Sequence, residues 1–80
     1  MEMLRSASRK VVGTKQVTRA LKAGKAARAY AANDADTFIF QQVVRAAEEA
    51  GVPCVRVATM KELGIVCGVE VPTAAAAVLR

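Results

Sequence analysis

The feature that most constrains this chain is how often glycine interrupts it while the hydrophobic period switches between segments. Val11 and Val12 form a β-branched run that Gly13 ends, the signature of a strand end. From Thr14, whose hydroxyl can cap a helix, Val17, Ala20, Leu21 and Gly24 recur at i, i+3, i+4 and i+7. That spacing predicts a helix with one apolar stripe, stopped by Gly24 at the position after its C-cap. Residues 27–32, ARAYAA, lie between this stop and the turn-like NDAD at 33–36, and read as a short buried strand. A second helix is expected over about 37–50, capped by Asp36 or Thr37. Ile39, Val43, Ala46, Ala47 and Ala50 form its core stripe, and Gly51 ends it. Pro53 then opens a third strand, CVRV at 54–57, and Thr59 or Met60 begins a short helix with Leu63, Val66 and Cys67 inward, ended by Gly68.

The last run, VEVPTAAAAVLR, has two readings. Four alanines after a Thr73 cap favour a helix by propensity, whereas a closing strand would complete the alternation. The order of elements argues for a three-layer α/β/α sandwich around a mixed sheet. At 80 residues the chain is a single domain, residues 1–80, with a thin core. Seventeen residues are alanine, so the core gains from close approach of elements more than from large side chains. Residues 5–10 are polar and basic and read as a frayed helical turn.

Charge is distributed unevenly. Residues 1–28 hold eight Lys/Arg against one acid, Glu2, while residues 29–80 hold four basic residues against six acidic ones. One end of a small domain is therefore expected to be strongly positive. The partner this suits is a polyanion, nucleic acid first and an anionic membrane surface second. No stretch is apolar enough to span a membrane. Arg5, Arg9 and Lys10 interrupt the N-terminus, which lacks the apolar segment of a signal peptide. Two cysteines, Cys54 and Cys67, and no histidine make a zinc site a poor fit; two small buried thiols in a reduced cytoplasmic setting are expected.

Catalytic patterns are missing. Gly24–Lys25 is followed by Ala26 and preceded five residues earlier by Arg19, so it fails the phosphate-loop pattern twice, and no G-x-G-x-x-G is present. Asp34 and Asp36 could serve acid/base chemistry or Mg²⁺, but carboxylates at a turn and a helix start are more simply structural. The thiols lack activating neighbours. A non-enzyme without cofactor or metal is expected.

The segment GTKQVTRALKAG, Gly13 to Gly24, stands apart. The first amide groups of a helix are unpaired and carry the positive end of its dipole, a natural place for phosphate. Lys15 and Arg19 there work against the dipole, which makes sense if an anion arrives to use both charge and amides. Lys15, Gln16 and Arg19 are also side-chain types that read base edges. Lys22 continues the same cationic face.

GTKQVTRALKAGKA, AANDAD, GVPCVRV and MKELGIVCGVEV with the alanine run, in this order, resemble the kink-turn RNA-binding superfamily of the archaeal large-subunit ribosomal protein "L-seven-Ae". The similarity runs from about Val11 to Leu79 and is greatest to the short bacterial members, whose helix also begins Gly-Thr-Lys-Gln. The resemblance implies an α/β/α sandwich with a four-stranded mixed sheet, and so a strand for the alanine run. It implies RNA binding at the start of the first helix, here Gly13, Thr14, Lys15, Gln16 and Arg19. It also implies binding at the loop before the last strand, here Glu70, Val71, Pro72, Thr73 and Ala74, which would pack on splayed-out nucleotides. Asp36 matches an acidic turn used by family members, and Phe40 an apolar residue just after it. The implied target is a sharply bent RNA with tandem sheared G·A pairs, ribosomal or regulatory, bound by a monomer with no membrane involved. Lys15-Gln16 replaces the archaeal Asn-Glu, Thr37 a usual proline, Met60 a basic contact residue of some relatives, and Pro72 a small residue. Two rival readings are a protein-docking module of the same fold and a small enzyme built on Asp34 and Asp36.

Overall fold

The computed structural model describes residues 9–80. Residues 5–8 of the expected basic turn lie outside it, and Lys10 already belongs to the first strand. Seven elements follow: β1 (Lys10–Val12), α1 (Thr14–Lys22), β2 (Ala26–Ala32), α2 (Thr37–Ala50), β3 (Cys54–Val57), α3 (Met60–Cys67) and β4 (Ala75–Leu79). The alanine run is thus a strand. Ala75, Ala76 and Ala77 are wholly buried in the middle of the sheet, where tertiary context overrides helix propensity.

The strands form one mixed sheet in the order β1-β4-β2-β3, with β4 antiparallel to both neighbours and β2 parallel to β3. Side chains alternate between its faces with the strand period of two. Ala29, Ala31, Ala75 and Ala77 lie under α1 and α2, packed against Val17, Leu21, Val43 and Ala47. Tyr30, Ala32, Ala76 and Val78 lie under α3, packed against Leu63, Val66 and Cys67. The alanine floor lets two helices sit close on one face, and the one fully buried ring, Tyr30, fills the other. The result is the expected α/β/α sandwich. A bulge in β2 between Ala26 and Arg28 turns Ala27 out to solvent.

Helix ends follow local chemistry, with one exception. The Asp36 carboxylate accepts the N–H groups of Phe38 and Ile39, and Thr59 Oγ1 accepts that of Glu62. Gly51 and Gly68 close α2 and α3 in left-handed conformation. Thr14 was the expected cap of α1, but Gly13 takes that position without any side-chain cap, and Thr14 is the first helical residue. The core stripe of α2 is narrower than expected: Val43 and Ala47 are buried, Ile39 and Ala46 half-buried, and Ala50 exposed. No helix among the described residues is long and apolar enough to cross a membrane.

Candidate nucleic-acid interface

The strand register brings the candidate residues to one end of the sheet. Val12 at the end of β1 pairs with Ala76, Ala31 near the end of β2 pairs with Ala75, and Val57 at the end of β3 pairs with Ala32. The C-terminal ends of three strands, the N-terminal end of β4 and the starts of all three helices therefore share an edge. Ligands of open α/β sheets bind on this side, because the helices aim their free amides there.

Backbone hydrogen bonds tie the segments of this edge together. Gly13 N–H donates to the Ala75 carbonyl at 2.9 Å, which places the start of α1 against the last residues of the 68–74 loop. Ala32 N–H donates to Ala74 O at 2.9 Å, and Thr73 N–H to Met60 O at 3.0 Å. The Asp34 carboxylate accepts the Met60 N–H at 2.7 Å, tying the turn after β2 to the start of α3. Asp34 and Asp36 both serve as acceptors of backbone amides, the structural reading of that acidic pair.

On α1, Lys15 and Gln16 are exposed in the first turn, and Gly13 and Thr14 are half-buried beneath them. Arg19 and Lys22 are also exposed, but they sit in the last turn of this nine-residue helix. Only Lys15 opposes the dipole; Arg19 and Lys22 favour it. The expectation that Arg19 stands at the cost of helix stability is corrected by the helix being short. Lys15, Thr18, Arg19 and Lys22 line one shallow depression, and Thr18 Oγ1 bonds back to Thr14 O at 3.0 Å.

The loop presents Glu70, Val71 and Pro72 to solvent, with Val71 64% exposed. Ala74 is half-buried against the α3 side of the core. Thr73, expected to face a nucleotide, is buried, and its hydroxyl bonds to Val71 O at 3.4 Å. Its side chain holds the loop from below. Gly64 of α3 is the seat of the loop: a Cβ there would collide with the Val71 carbonyl.

Beside this surface, Asp36 is exposed at the start of α2, and Phe40 is half-buried with the Arg56 guanidinium 5.5 Å from its ring centre. Sequence reasoning passed over Phe38, which is 77% exposed at the start of α2. The available signal was its position off the helix's apolar stripe.

The basic residues do not form the one positive end that their crowding in the sequence suggested. The chain crosses the sheet three times between residues 10 and 32, so the cations divide. Lys15, Arg19 and Lys22 line α1. At the other end of the sheet, the Arg9 guanidinium donates to Arg80 O and Arg80 N–H to Lys25 O, while Lys10 and Arg28 flank Val78 from either side. Burial pushes the thiols of Cys54 and Cys67 above their ordinary range, with Arg56 and Lys10 respectively pulling the other way. Cys54 is only half-buried, against the expectation of two buried thiols.

Comparison with known proteins shows the family and the fold. The whole chain, residues 1–80, matches the model of the ribosomal protein L7Ae/L30e/S12e/Gadd45 family. An RNA-binding protein of Geobacillus thermodenitrificans is 49% identical over 79 residues, covering 99% of this chain and 96% of the relative. RNA-binding protein YbxF of Geobacillus stearothermophilus is 47% identical over the same shares. Among solved structures, a 15.5kD RNA binding protein of Giardia lamblia superposes with a TM-score of 0.84 at 29% identity, over 99% of this chain and 67% of that one. A Bacillus halodurans protein of unknown function, at 18% identity, shares the fold with a TM-score of 0.84. With its whole length matched and its fold shared, this chain belongs to the ribosomal protein L7Ae/L30e/S12e/Gadd45 family.

Proposed function

We propose that this protein binds structured RNA, and that its target is a kink-turn: a sharply bent duplex with tandem sheared G·A pairs, in ribosomal or regulatory RNA. The observation that carries the reading is the Gly13–Ala75 hydrogen bond, which holds the amide-rich start of α1 and the exposed Val71–Pro72 loop on one surface. A bent RNA needs both. Bending crowds phosphates, whose repulsion Lys15, Arg19 and Lys22 offset. It also opens a groove that ordinary A-form RNA keeps too narrow for side chains, so Lys15, Gln16 and Arg19 reach guanine edges. A good bidentate contact of this kind is worth ~1–3 kcal/mol. Gly13 and Thr14 let the RNA approach the backbone.

The apolar part of the loop then receives nucleotides expelled from the stack. Val71 and Pro72 offer the exposed surface, Ala74 lies at its edge, and Thr73 fixes the loop through its buried side chain. Asp36, which uses Oδ1 to cap α2, can turn Oδ2 to a base donor. The relatives named RNA-binding proteins support the ligand class. A monomer of this kind performs no chemistry and works in the cytoplasm by holding the RNA in its bent form.

A gel-shift titration tests the reading. The protein should bind a kink-turn RNA and bind at least about tenfold more weakly when the G·A pairs are replaced by Watson–Crick pairs, since two base contacts are lost. Equal binding to both RNAs would overturn kink-turn recognition, and binding to neither would favour a protein-docking module.

A further inference from the structure

Phe38 has no role in the core and none in the site described above. It is the most exposed of the large apolar side chains described, and it lies on the face of α2 opposite the Val43–Ala47 stripe. Gln42 and Arg45 follow it at i+4 and i+7 on the same face, with Gln41 beside them. Together with Thr18 and Lys22 of α1 they line a groove of about 270 Å³ between the two helices.

Three features of this groove point to one kind of ligand. First, it continues the cationic surface of α1: Thr18 and Lys22 line both it and the depression shared with Lys15 and Arg19. Second, α1 and α2 both start at the site end of the sheet and run the same way, so Phe38, in the first turn of α2, stands at the end of the groove nearer the site. Glu49, at the far end, carries the opposite charge and closes the cationic track. Third, a bare aromatic ring beside two cations and two amides is the chemistry of single-stranded nucleic-acid binding. The ring stacks on any base, the cations neutralise a phosphate, and the amides adapt to base edges.

We propose that this groove is a second nucleotide site, in which an unpaired base flanking the bent duplex stacks on Phe38 while its phosphate lies between Lys22 and Arg45. The site rests on the RNA-binding reading above and extends it from the bend to the strand that leaves it. It makes the protein selective for a bent RNA followed by single-stranded sequence. An unbroken duplex cannot use the ring, because its bases are already stacked.

The test uses the full chain and two RNAs: a minimal kink-turn, and the same RNA with a short unpaired extension carrying 2-aminopurine at each position in turn. Wild type should bind the extended RNA at least about fivefold more tightly than the minimal one, and one 2-aminopurine should be quenched on binding. Phe38→Ala should abolish both the added affinity and the quenching while binding the minimal RNA as wild type does. Arg45→Ala should reduce the added affinity and also spare the minimal RNA. Because Phe38 and Arg45 are exposed, both variants should unfold at the wild-type temperature. Equal wild-type affinity for the two RNAs, or unchanged fluorescence, with the minimal RNA still bound, would overturn the second site alone and leave the groove to a protein partner. Binding of neither RNA would overturn the parent reading and this one with it.

Discussion

Gly13 and Ala75 lie 62 residues apart in the chain, yet the amide of one donates to the carbonyl of the other at 2.9 Å. Gly13 makes this bond at φ +103° and ψ 145°, a conformation essentially limited to glycine. No atom would obstruct a Cβ there, so the cost of substitution is backbone strain alone. Gly13→Ala should destabilise the fold by about 1–3 kcal/mol and weaken RNA binding beyond that. Thermal unfolding and a titration of the folded variant check the two effects separately.

The loop can be displaced from the opposite side. Gly64 is buried beneath it, and a methyl group there would strike the Val71 carbonyl. Gly64→Ala should cost about 1–3 kcal/mol by overpacking, or push the loop outward. In either case RNA affinity should fall with no charged residue touched. Comparing urea midpoints with binding curves at a temperature where the variant is folded will show it.

Arg19 separates binding from stability. It is exposed and supports its helix only through the dipole, so Arg19→Ala should change stability by about 0.5 kcal/mol or less. Binding should weaken more than about tenfold, as expected for loss of a combined guanine and phosphate contact. A gel-shift titration beside a melting curve is sufficient, and equal binding by variant and wild type would remove Arg19 from the interface.

The far basic cluster supplies the control. Lys10 and Arg28 lie at the other end of the sheet, flanking Val78 on the face that α3 covers. At physiological salt, fields from exposed charges fade over about 8 Å. Lys10→Glu combined with Arg28→Glu should therefore change affinity for a minimal kink-turn by less than about twofold. A large loss would show that net charge, not the site, drives binding.

The thiols make stability depend on alkaline pH. Burial raises both above the ordinary value of 9.0, so the unfolded chain releases these protons first. Their contribution is complete below about pH 9 and is lost as pH rises toward the folded values. Unfolding temperatures should fall above that point, and replacing both cysteines by alanine should flatten the decline.

Much of this architecture is legible in the chain because its boundary signals are local. Asp36, Thr59, Gly51 and Gly68 mark helix ends by chemistry that acts within a few residues, and the structure uses all four as expected. The alanine run is not legible this way. Ala75–Ala77 favour a helix in isolation, and only pairing between β1 and β2 makes them a strand. Thr14 misleads because a hydroxyl at the right spacing is no cap once Gly13 adopts a backbone that only long-range pairing with Ala75 selects. The basic segment misleads for a similar reason: residues close in sequence are sent to opposite ends by a chain that crosses the sheet. Proximity of Gly13–Arg19 to residues 70–74 came from family resemblance, since no spacing rule joins segments so far apart. Phe38 carried a readable signal, an aromatic ring off the buried stripe, which the stripe itself obscured.

The central claim is that the start of α1 and the 70–74 loop form one surface for a bent RNA. It is tested most directly by following backbone amide NMR signals of the ¹⁵N-labelled protein as a minimal kink-turn RNA is added. The account predicts that signals of Gly13 to Arg19 and of Glu70, Val71, Thr73 and Ala74 shift together along one binding curve, while Lys10 and Arg28 stay in place. Shifts confined to one segment, or centred on the far basic cluster, would contradict it.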